Sequence, residues 1–450
     1  MLSRLLPSNK TDPELGPLRP GLVFSFFNAM GWQIAIGTPL VLFAEQLGAG
    51  PEKVGLAASM FFLLTPVQIV ATALLPRYGY KGLMLGGWLI RSLLLLVPIM
   101  LAVLAPTIGV RSWMASALVG MIFFFCLFRA IGLAAMMPWF YSIIPQGARG
   151  RYFSSESMLA GVSSVLTLLV CAGLFAVLPV FPALGVQYGI SLAGSIWSYY
   201  ALRRLPDGPV PEPIKLETVF RTLPDIVLRR SEFRRYLWLS LLCFATTAPI
   251  PPFLAYYLKT VRELEPSWIM GLEVFRYGGV ILASVLIRRR IDGMGARPFV
   301  LLSFGLYFGL AAYWMVFVRT GLGGSVGLIA AYIALGLGGA TWTVGNLAYL
   351  PKLIPPEQRT LMISVYGALT SLVAGLATLG WGCVLRPAGA VVGLDAWRFQ
   401  VFFGVAMAGV AFISFLFARR PEPNVEPPKP PSSAAVGLVP KPDVSLAPSA

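Results

Sequence analysis

The chain has 450 residues, of which 57% are hydrophobic and only 12% are charged. Soluble domains carry about a quarter charged residues, so this composition excludes an ordinary soluble fold. The formal net charge of +16 would suit a nucleic-acid-binding protein, but no soluble domain with clustered basic and aromatic residues is present to carry it.

Twelve apolar stretches follow one another along the chain, each close to the 20 residues that cross a bilayer as a helix. A polar, Pro-rich amino terminus precedes them, and its features do not match a cleaved signal peptide. We number the predicted transmembrane helices as spans 1 to 12 and place them at 21–43, 54–75, 82–104, 113–139, 152–178, 185–204, 236–258, 266–287, 298–318, 325–350, 361–385 and 397–418.

The second six spans repeat the first six. Thr38-Pro39-Leu40 in span 1 corresponds to Pro251-Pro252-Phe253 in span 7, and Ile143-Ile144-Pro145 after span 4 corresponds to Leu353-Ile354-Pro355 after span 10. We therefore predict an all-α membrane protein of two six-helix bundles related by pseudo-twofold symmetry. Carriers built from such repeats bind their solute between the two halves.

The repeat and the loop lengths predict the organisation of the chain. We expect an N-terminal bundle at 1–204, a cytoplasmic linker with short amphipathic helices at 205–235, a C-terminal bundle at 236–420 and a disordered, Pro-rich cytoplasmic tail at 421–450. Proline removes a backbone donor, so Pro39 should bend span 1, and Pro249, Pro251 and Pro252 should bend span 7 at the matching level. Such bends fit an outer gate or passive kinks.

Positive charge is distributed unevenly across the predicted membrane. Of the 35 Lys and Arg residues, 25 lie on the side that includes both chain ends, 7 lie on the other side, and Arg91, Arg129 and Arg276 lie inside spans. Positively charged loops stay in the cytoplasm. The sequence therefore predicts an integral protein of the cell (inner) membrane with both termini cytoplasmic.

Polar residues at membrane depth are costly, and they usually face the protein interior or a wet cavity. Glu273 and Arg276 are three residues apart and share a face of span 8. They form either a static ion pair or a pair that exchanges partners while Glu273 carries a proton. Candidate solute-binding residues are Asn28, Trp32, Gln33, Arg91, Arg129, Trp139, Trp342 and Asn346.

Each solute-binding candidate has a structural alternative. An arginine can bind a carboxylate or phosphate in a bidentate way, or it can bond backbone carbonyls or an acid on another helix. Trp139, Trp342 and Asn346 lie near the inner ends of spans 4 and 10. The tryptophans at this depth can stack on a flat solute or anchor the helix at the membrane interface.

The cytoplasmic ends of the spans carry the charged residues of a predicted inner gate. Pairs between the halves, such as Arg149 or Arg151 with Glu357 or Asp292, would break when the gate opens. The same cations could instead only orient the chain in the membrane. The full set of gate candidates is Arg77, Lys81, Arg149, Arg151, Glu156, Arg290, Asp292, Arg297, Glu357 and Arg359.

These loops resemble those of the major facilitator superfamily. Arg290-Ile-Asp-Gly-Met-Gly-Ala-Arg297 after span 8 is similar to the family's Gly-x-x-x-Asp-Arg-x-Gly-Arg-Arg motif. After span 2 only Arg77, Gly79 and Lys81 match, and the acid is missing. The resemblance implies a carrier that exposes a central site to each side of the membrane in turn.

We therefore predict a secondary active transporter of a small polar or anionic organic solute. Coupling to protons or sodium and passive transport both stay open. The alternatives are a multidrug or metabolite exporter of the same fold and a non-transporting membrane sensor or assembly factor. We predict no enzyme activity, cofactor, metal site or nucleic-acid partner, and a monomer in the lipid bilayer.

Overall fold

The computed structural model describes residues 15–145, 149–208, 231–288, 294–321, 323–354, 359–386 and 396–419. Within these ranges the regular structure is helical and no strand occurs. The predicted amphipathic helices of the linker lie within residues 209–230, outside the described part, as does the predicted disordered tail. The predicted domain boundaries therefore stay predictions.

The first six spans are all present. Their helices are Arg19–Ala35 with Thr38–Gln46 (span 1), Pro51–Leu63 with Val67–Ala71 (span 2), Leu75–Leu94 with Leu96–Ile108 (end of span 2, turn and span 3), Ser112–Ile143 (span 4), Arg149–Val177 (span 5) and Val180–Arg203 (span 6). The helix Leu75–Leu94 contains Gly79 at φ 67° and ψ 171°. This left-handed φ favours glycine and makes the sharp turn between spans 2 and 3.

The second six spans follow in the same order. Their helices are Glu232–Thr247 with Ile250–Thr260 (span 7), Pro266–Arg288 (span 8), Arg297–Thr320 (span 9), Gly324–Tyr349 (span 10), Arg359–Val384 (span 11) and Ala396–Ala418 (span 12). The prediction of twelve spans is confirmed. Nine helical stretches of the described chain are long and apolar enough by themselves to cross a membrane.

Spans 1 and 7 break at matching positions, as predicted. Span 1 is interrupted at Ile36 and Gly37, and span 7 at Ala248 and Pro249. In each case proline lies in the first turn of the following segment, where its missing N–H costs no helical hydrogen bond. The second segments, Thr38–Gln46 and Ile250–Thr260, pack against each other across the two halves.

The buried apolar residues show on which side the halves join. We call the side that holds residues 15 and 419 the termini side. One cluster belongs to the N-terminal half alone, between Leu15 and Leu205, and a second belongs to the C-terminal half alone, between Phe233 and Phe417. The third combines residues of both halves, including the broken segments of spans 1 and 7. Among the described residues, the halves therefore share a core only on the side opposite the termini.

Close packing of spans 2 and 11 closes the opposite side further. A Cβ placed on Gly55 would lie 2.9 Å from Cα of Gly382, so the two backbones touch. The other end of span 2, Val67–Ala71, packs against span 4 within its own half. Spans 5 and 8 complete the contact between the halves.

Candidate functional site

A cavity of about 350 Å³ lies between the two halves. Its walls come from spans 1 and 2 on one side and spans 7 and 8 on the other. The broken segment that begins at Thr38 and the prolines 251 and 252 close it toward the side opposite the termini. The polar and aromatic residues in its walls are Trp32, Gln33, Thr38, Phe61, Phe62, Glu273, Arg276 and Tyr277.

One hydrogen bond crosses the cavity and joins the halves. The Gln33 side-chain amide on span 1 donates to the Tyr277 hydroxyl on span 8. Gln33 is buried, so its amide group needs a partner inside the protein. Because this bond connects the two halves, any rocking of one half against the other has to break it or carry it along.

Glu273 and Arg276 form an ion pair on the cavity wall. Arg276 Nε donates to Glu273 Oε2 at 2.5 Å, and the exposed fractions of the two side chains are 26% and 5%. The guanidinium of Arg276 also lies 4.7 Å from the ring centroid of Tyr277. The predicted common face is confirmed, and in this structure the two residues are paired with each other.

Arg129 packs behind the aromatic wall of the cavity and does not itself line it. Its Cζ is 4.3 Å from the ring centroid of Phe61 and 4.8 Å from that of Trp32, within the range of cation–π attraction. Trp32 and Phe61 meet edge to face at 4.9 Å. Arg129 is buried, and its Nη1 has no hydrogen-bond partner among the described residues.

Arg91 and Asn28 lie behind this wall, and neither lines the cavity. Arg91 Nη2 donates to Asn28 Oδ1 at 2.9 Å. The guanidinium also lies 4.2 Å from the ring centroid of Trp88 and 4.9 Å from that of Phe125. No carboxylate of the described chain pairs with Arg91 or Arg129, so the N-terminal wall of the site carries two uncompensated positive charges.

Three further predicted solute-binding residues also do not line the cavity. Trp139 is fully buried in the N-terminal core, and its Nε1 donates to the Pro206 carbonyl at 3.1 Å. Trp342 packs on Phe304 with ring centroids 5.5 Å apart. Asn346 Oδ1 accepts hydrogen bonds from Tyr236 at 2.8 Å and from Tyr366 at 2.9 Å. Each of these side chains turns into the core of its own half.

The described gate candidates make contacts within their own halves. Lys81 Nζ lies 3.0 Å from Asp207 Oδ1 and donates to the Leu205 carbonyl at 2.8 Å. Glu156 Oε1 accepts from Ser25 at 2.9 Å. Arg297 Nη2 donates to the Ala418 carbonyl at 2.7 Å. Arg77 is exposed, 5.4 Å from the ring centroid of Tyr78.

The predicted gate pairs between the halves lie outside the described part of the chain. Residues Arg290, Asp292 and Glu357, and the side chains of Arg149, Arg151 and Arg359, are not described. The inner gate therefore stays a prediction.

Tyr277 and Phe61 are site residues that the sequence analysis missed. Tyr277 could have been found, because it is four residues after Glu273 and shares its helix face.

The fold matches that of solved transporters of the major facilitator superfamily. A crystal structure of the nucleoside transporter NupG superposes with a TM-score of 0.68 at 13% identity, covering 89% of this chain and 98% of that one. A bacterial homologue of the iron transporter ferroportin, in an inward-facing state, gives 0.67 at 17% identity, with 90% and 98% covered. A variant of the peptide transporter POT gives 0.66 at 14% identity, with 88% and 93% covered.

No family model and no curated protein matches the sequence. At these identities the superpositions establish the fold. The predicted fold class, two six-helix bundles of the major facilitator type, is therefore confirmed.

Proposed function

We propose that this protein is a secondary transporter that binds a small, anionic or polar organic solute in the cavity between its halves. The observation that carries the proposal is the cavity itself. Both halves contribute to its walls, and Arg129, whose Nη1 has no hydrogen-bond partner in the described chain, packs behind the Trp32 and Phe61 rings of one wall. Alternating access would rock the halves about this site.

The charges around the cavity favour a solute that carries a carboxylate or phosphate. Arg276 is neutralised by Glu273, whereas the described residues place no carboxylate beside Arg91 or Arg129. Two positive charges at low dielectric repel a cation and attract an anion. The solved proteins of the same fold are named for nucleosides, iron and peptides. The fold therefore does not determine which solute is bound, and we base the choice of solute on the charge of the site.

We further propose that the described conformation faces the cytoplasm. The shared core and the contact of Gly55 with Gly382 close the side opposite the termini, and the positive-inside distribution assigns the termini to the cytoplasm. Protease digestion of spheroplasts that carry a tag after residue 450 tests this orientation. The tag should survive until the membrane is permeabilised. A tag that is cleaved in intact spheroplasts contradicts the orientation.

The function is tested by binding and then by uptake. The purified protein is heated with mono- and dicarboxylates, sugar phosphates, nucleosides and dipeptides, and a solute that binds the folded state raises the unfolding midpoint. The best solute is then used in uptake assays with proteoliposomes. We expect a carboxylate or phosphate to be selected. Binding without uptake would instead support the sensor, and preference for apolar cations would support the multidrug exporter.

Arg129→Gln should weaken binding of that solute by about 10-fold, because it removes one of the two buried positive charges behind the cavity wall that attract an anion at low dielectric. The variant should fold, since it leaves no partner carboxylate unpaired. Arg203→Gln is the matched control, because Arg203 is exposed at the end of span 6. Equal affinity of wild type and Arg129→Gln would rule out a role of Arg129 in binding.

A further inference from the structure

A second cavity, larger than the one between the halves, lies outside that site. It is a groove of about 780 Å³ on the outer surface of the C-terminal half, between spans 7, 11 and 12. We call it the span 7 groove. Its wall is formed by Trp238, Leu239, Leu241, Leu242, Ala245, Val373, Phe412 and Leu416, and Arg234 and Arg235 stand at its end.

The groove opens toward the bilayer along its apolar length. Trp238 and Phe412 are 56% and 54% exposed, and in a membrane this surface is covered by lipid. Val373, Phe412 and Leu416 belong to spans 11 and 12, so the wall is continuous across three helices. A concave apolar surface of this volume is of the size that binds small molecules.

The charge at one end of the groove is positive. The sequence from Arg229 to Arg235 contains four arginines and one acid, Glu232. Glu232 pairs with Arg235 at 2.7 Å, but both side chains are 63% exposed, and an exposed pair of this kind is weak and easily exchanged. Arg235 and the neighbouring Arg234, which both line this end of the groove, therefore give it a positive charge on the side where the positive-inside distribution places the cytoplasm.

A tryptophan about one helical turn from the arginines completes the pattern. Trp238 is four residues after Arg234 and lies on the same face of span 7. An exposed indole at this depth is typical of the interface between headgroups and acyl chains. Arginines at the headgroup level, an indole at the boundary and an apolar wall below match the three layers of a phospholipid from headgroup to tail.

We propose that the span 7 groove binds an anionic phospholipid, with an acyl chain along its apolar wall and the phosphate at Arg234 and Arg235. Basic pockets between helices on the cytoplasmic side of membrane proteins bind anionic headgroups. A zwitterionic lipid has the same chains but no net charge, so it fits the wall without gaining from the arginines. The proposal concerns a surface separate from the solute cavity and does not depend on the transported solute.

The proposal predicts a preference between two lipids with identical chains. Purified full-length protein in detergent is titrated with phosphatidylglycerol or phosphatidylcholine, and bound lipid is counted by native mass spectrometry. An arginine near an anionic lipid increases the affinity about 5-fold. With one or two arginines engaged, we expect phosphatidylglycerol to bind about 5-fold to 25-fold more tightly than phosphatidylcholine. Arg234→Gln with Arg235→Gln should reduce this ratio to about one.

Two further variants separate the headgroup from the chain. Arg203→Gln with Arg204→Gln removes two adjacent exposed arginines on the termini side at the end of span 6, and it should leave the ratio unchanged. Ala245→Trp fills the apolar wall and should weaken the binding of both lipids. Glycerol phosphate at millimolar concentration should not displace the lipid, which distinguishes a lipid site from a site for a soluble phosphate.

Three results would overturn the proposal. The first is equal affinity of the wild type for phosphatidylglycerol and phosphatidylcholine. This result would mean that the groove is occupied by bulk lipid or by residues 209–230 of this chain. The second is an equal fall of the ratio in the variants at 203 and 204, which attributes the preference to net charge alone. The third is displacement by glycerol phosphate, which assigns the arginines to a soluble anion.

Discussion

Two carboxylate–arginine pairs with the same helical spacing show how burial changes the role of a charge. Glu273 and Arg276 are 2.5 Å apart, with the carboxylate almost buried on the cavity wall. Glu232 and Arg235 are 2.7 Å apart, and both side chains are mostly exposed. An exposed pair contributes about 0–1 kcal/mol. Removing one partner of a buried pair costs several kcal/mol, because the other charge is left without compensation.

Glu273→Gln should therefore lower the unfolding midpoint and abolish gradient-driven accumulation, while solute exchange is kept. Arg276 faces the cavity and is partly exposed, so we expect a loss of about 2 kcal/mol rather than the full value for a buried pair. Loss of accumulation follows if Glu273 is the group that binds the coupling proton. The measurements are thermal unfolding in detergent, and accumulation and counterflow in proteoliposomes with an imposed proton gradient.

Glu232→Gln is the control for this prediction, since it removes a carboxylate with the same spacing from an exposed pair. It should change the free energy of unfolding by less than about 0.5 kcal/mol and leave accumulation intact. Full accumulation by Glu273→Gln would show that this carboxylate does not couple transport to protons. An unchanged unfolding midpoint would show that the ion pair does not contribute to stability.

The site could be predicted from the sequence where it depends on local spacing. Glu273 and Arg276 share a helix face at any tertiary arrangement, and that prediction is confirmed. For Trp139 and Asn346, the direction in which each side chain turns depends on neighbouring helices, and local spacing does not indicate it. The bond of Gln33 to Tyr277 joins residues 244 apart, and no periodicity in the sequence indicates such a pairing.

At the scale of helices, proline and glycine act in different ways. The breaks of spans 1 and 7 could be predicted because proline changes its own helix. The contact of Gly55 with Gly382 could not, because a glycine shows only that close approach is allowed and not which helix approaches. We expect this contact to hold that side closed, since it lies where spans 2 and 11 join the two halves opposite the termini.

Gly55→Val should hold the protein open on that side. Its Cβ would meet Cα of Gly382 at 2.9 Å and the carbonyl oxygen of Thr378 at 3.0 Å, and backbone atoms cannot turn away as a flexible side chain can. Access is measured in a Cys383→Ser protein that also carries Thr38→Cys. The new cysteine should react several-fold faster with a membrane-impermeant maleimide, added from the side opposite the termini, when Gly55→Val is present than when it is absent.

Gly173→Val is the matched control for this wedge, because no atom lies within 4 Å of the Cβ that it adds. It introduces the same side chain into span 5 and should leave the labelling rate at position 38 unchanged. Equal labelling of the Gly55→Val variant and its parent would show that the contact of spans 2 and 11 does not control access to the cavity.

At the scale of the whole molecule, the distribution of the cores explains how two halves can move while remaining one protein. Each half has its own buried cluster toward the termini side, and the third cluster unites them on the opposite side. The repeat in the sequence predicted two equivalent bundles. It could not predict this asymmetry, because closing one side rather than the other depends on contacts between the halves and not on either half alone.

The linker between the halves should act as a tether and not as a structural element of either bundle. Its first residues are held by the N-terminal half, through Trp139 to the Pro206 carbonyl and Lys81 to Asp207. Span 7 begins with its own cap, where the Ser231 side chain accepts a hydrogen bond from the backbone N–H of Arg234 at 3.1 Å. Both ends of the linker are thus fixed by contacts within the described chain.

Cutting the chain within residues 209–230 should therefore leave transport intact. A protease site is inserted there, the protein is reconstituted in liposomes, and it is cleaved before uptake of the solute is measured. We expect uptake within about twofold of the uncleaved sample and co-elution of the two fragments, because van der Waals packing between helices holds bundles together in lipid.

Protease treatment of the protein without the inserted site is the control. Fragments that separate would show that the shared core does not hold the halves together. Loss of uptake from fragments that co-elute would show that the linker takes part in the transport cycle.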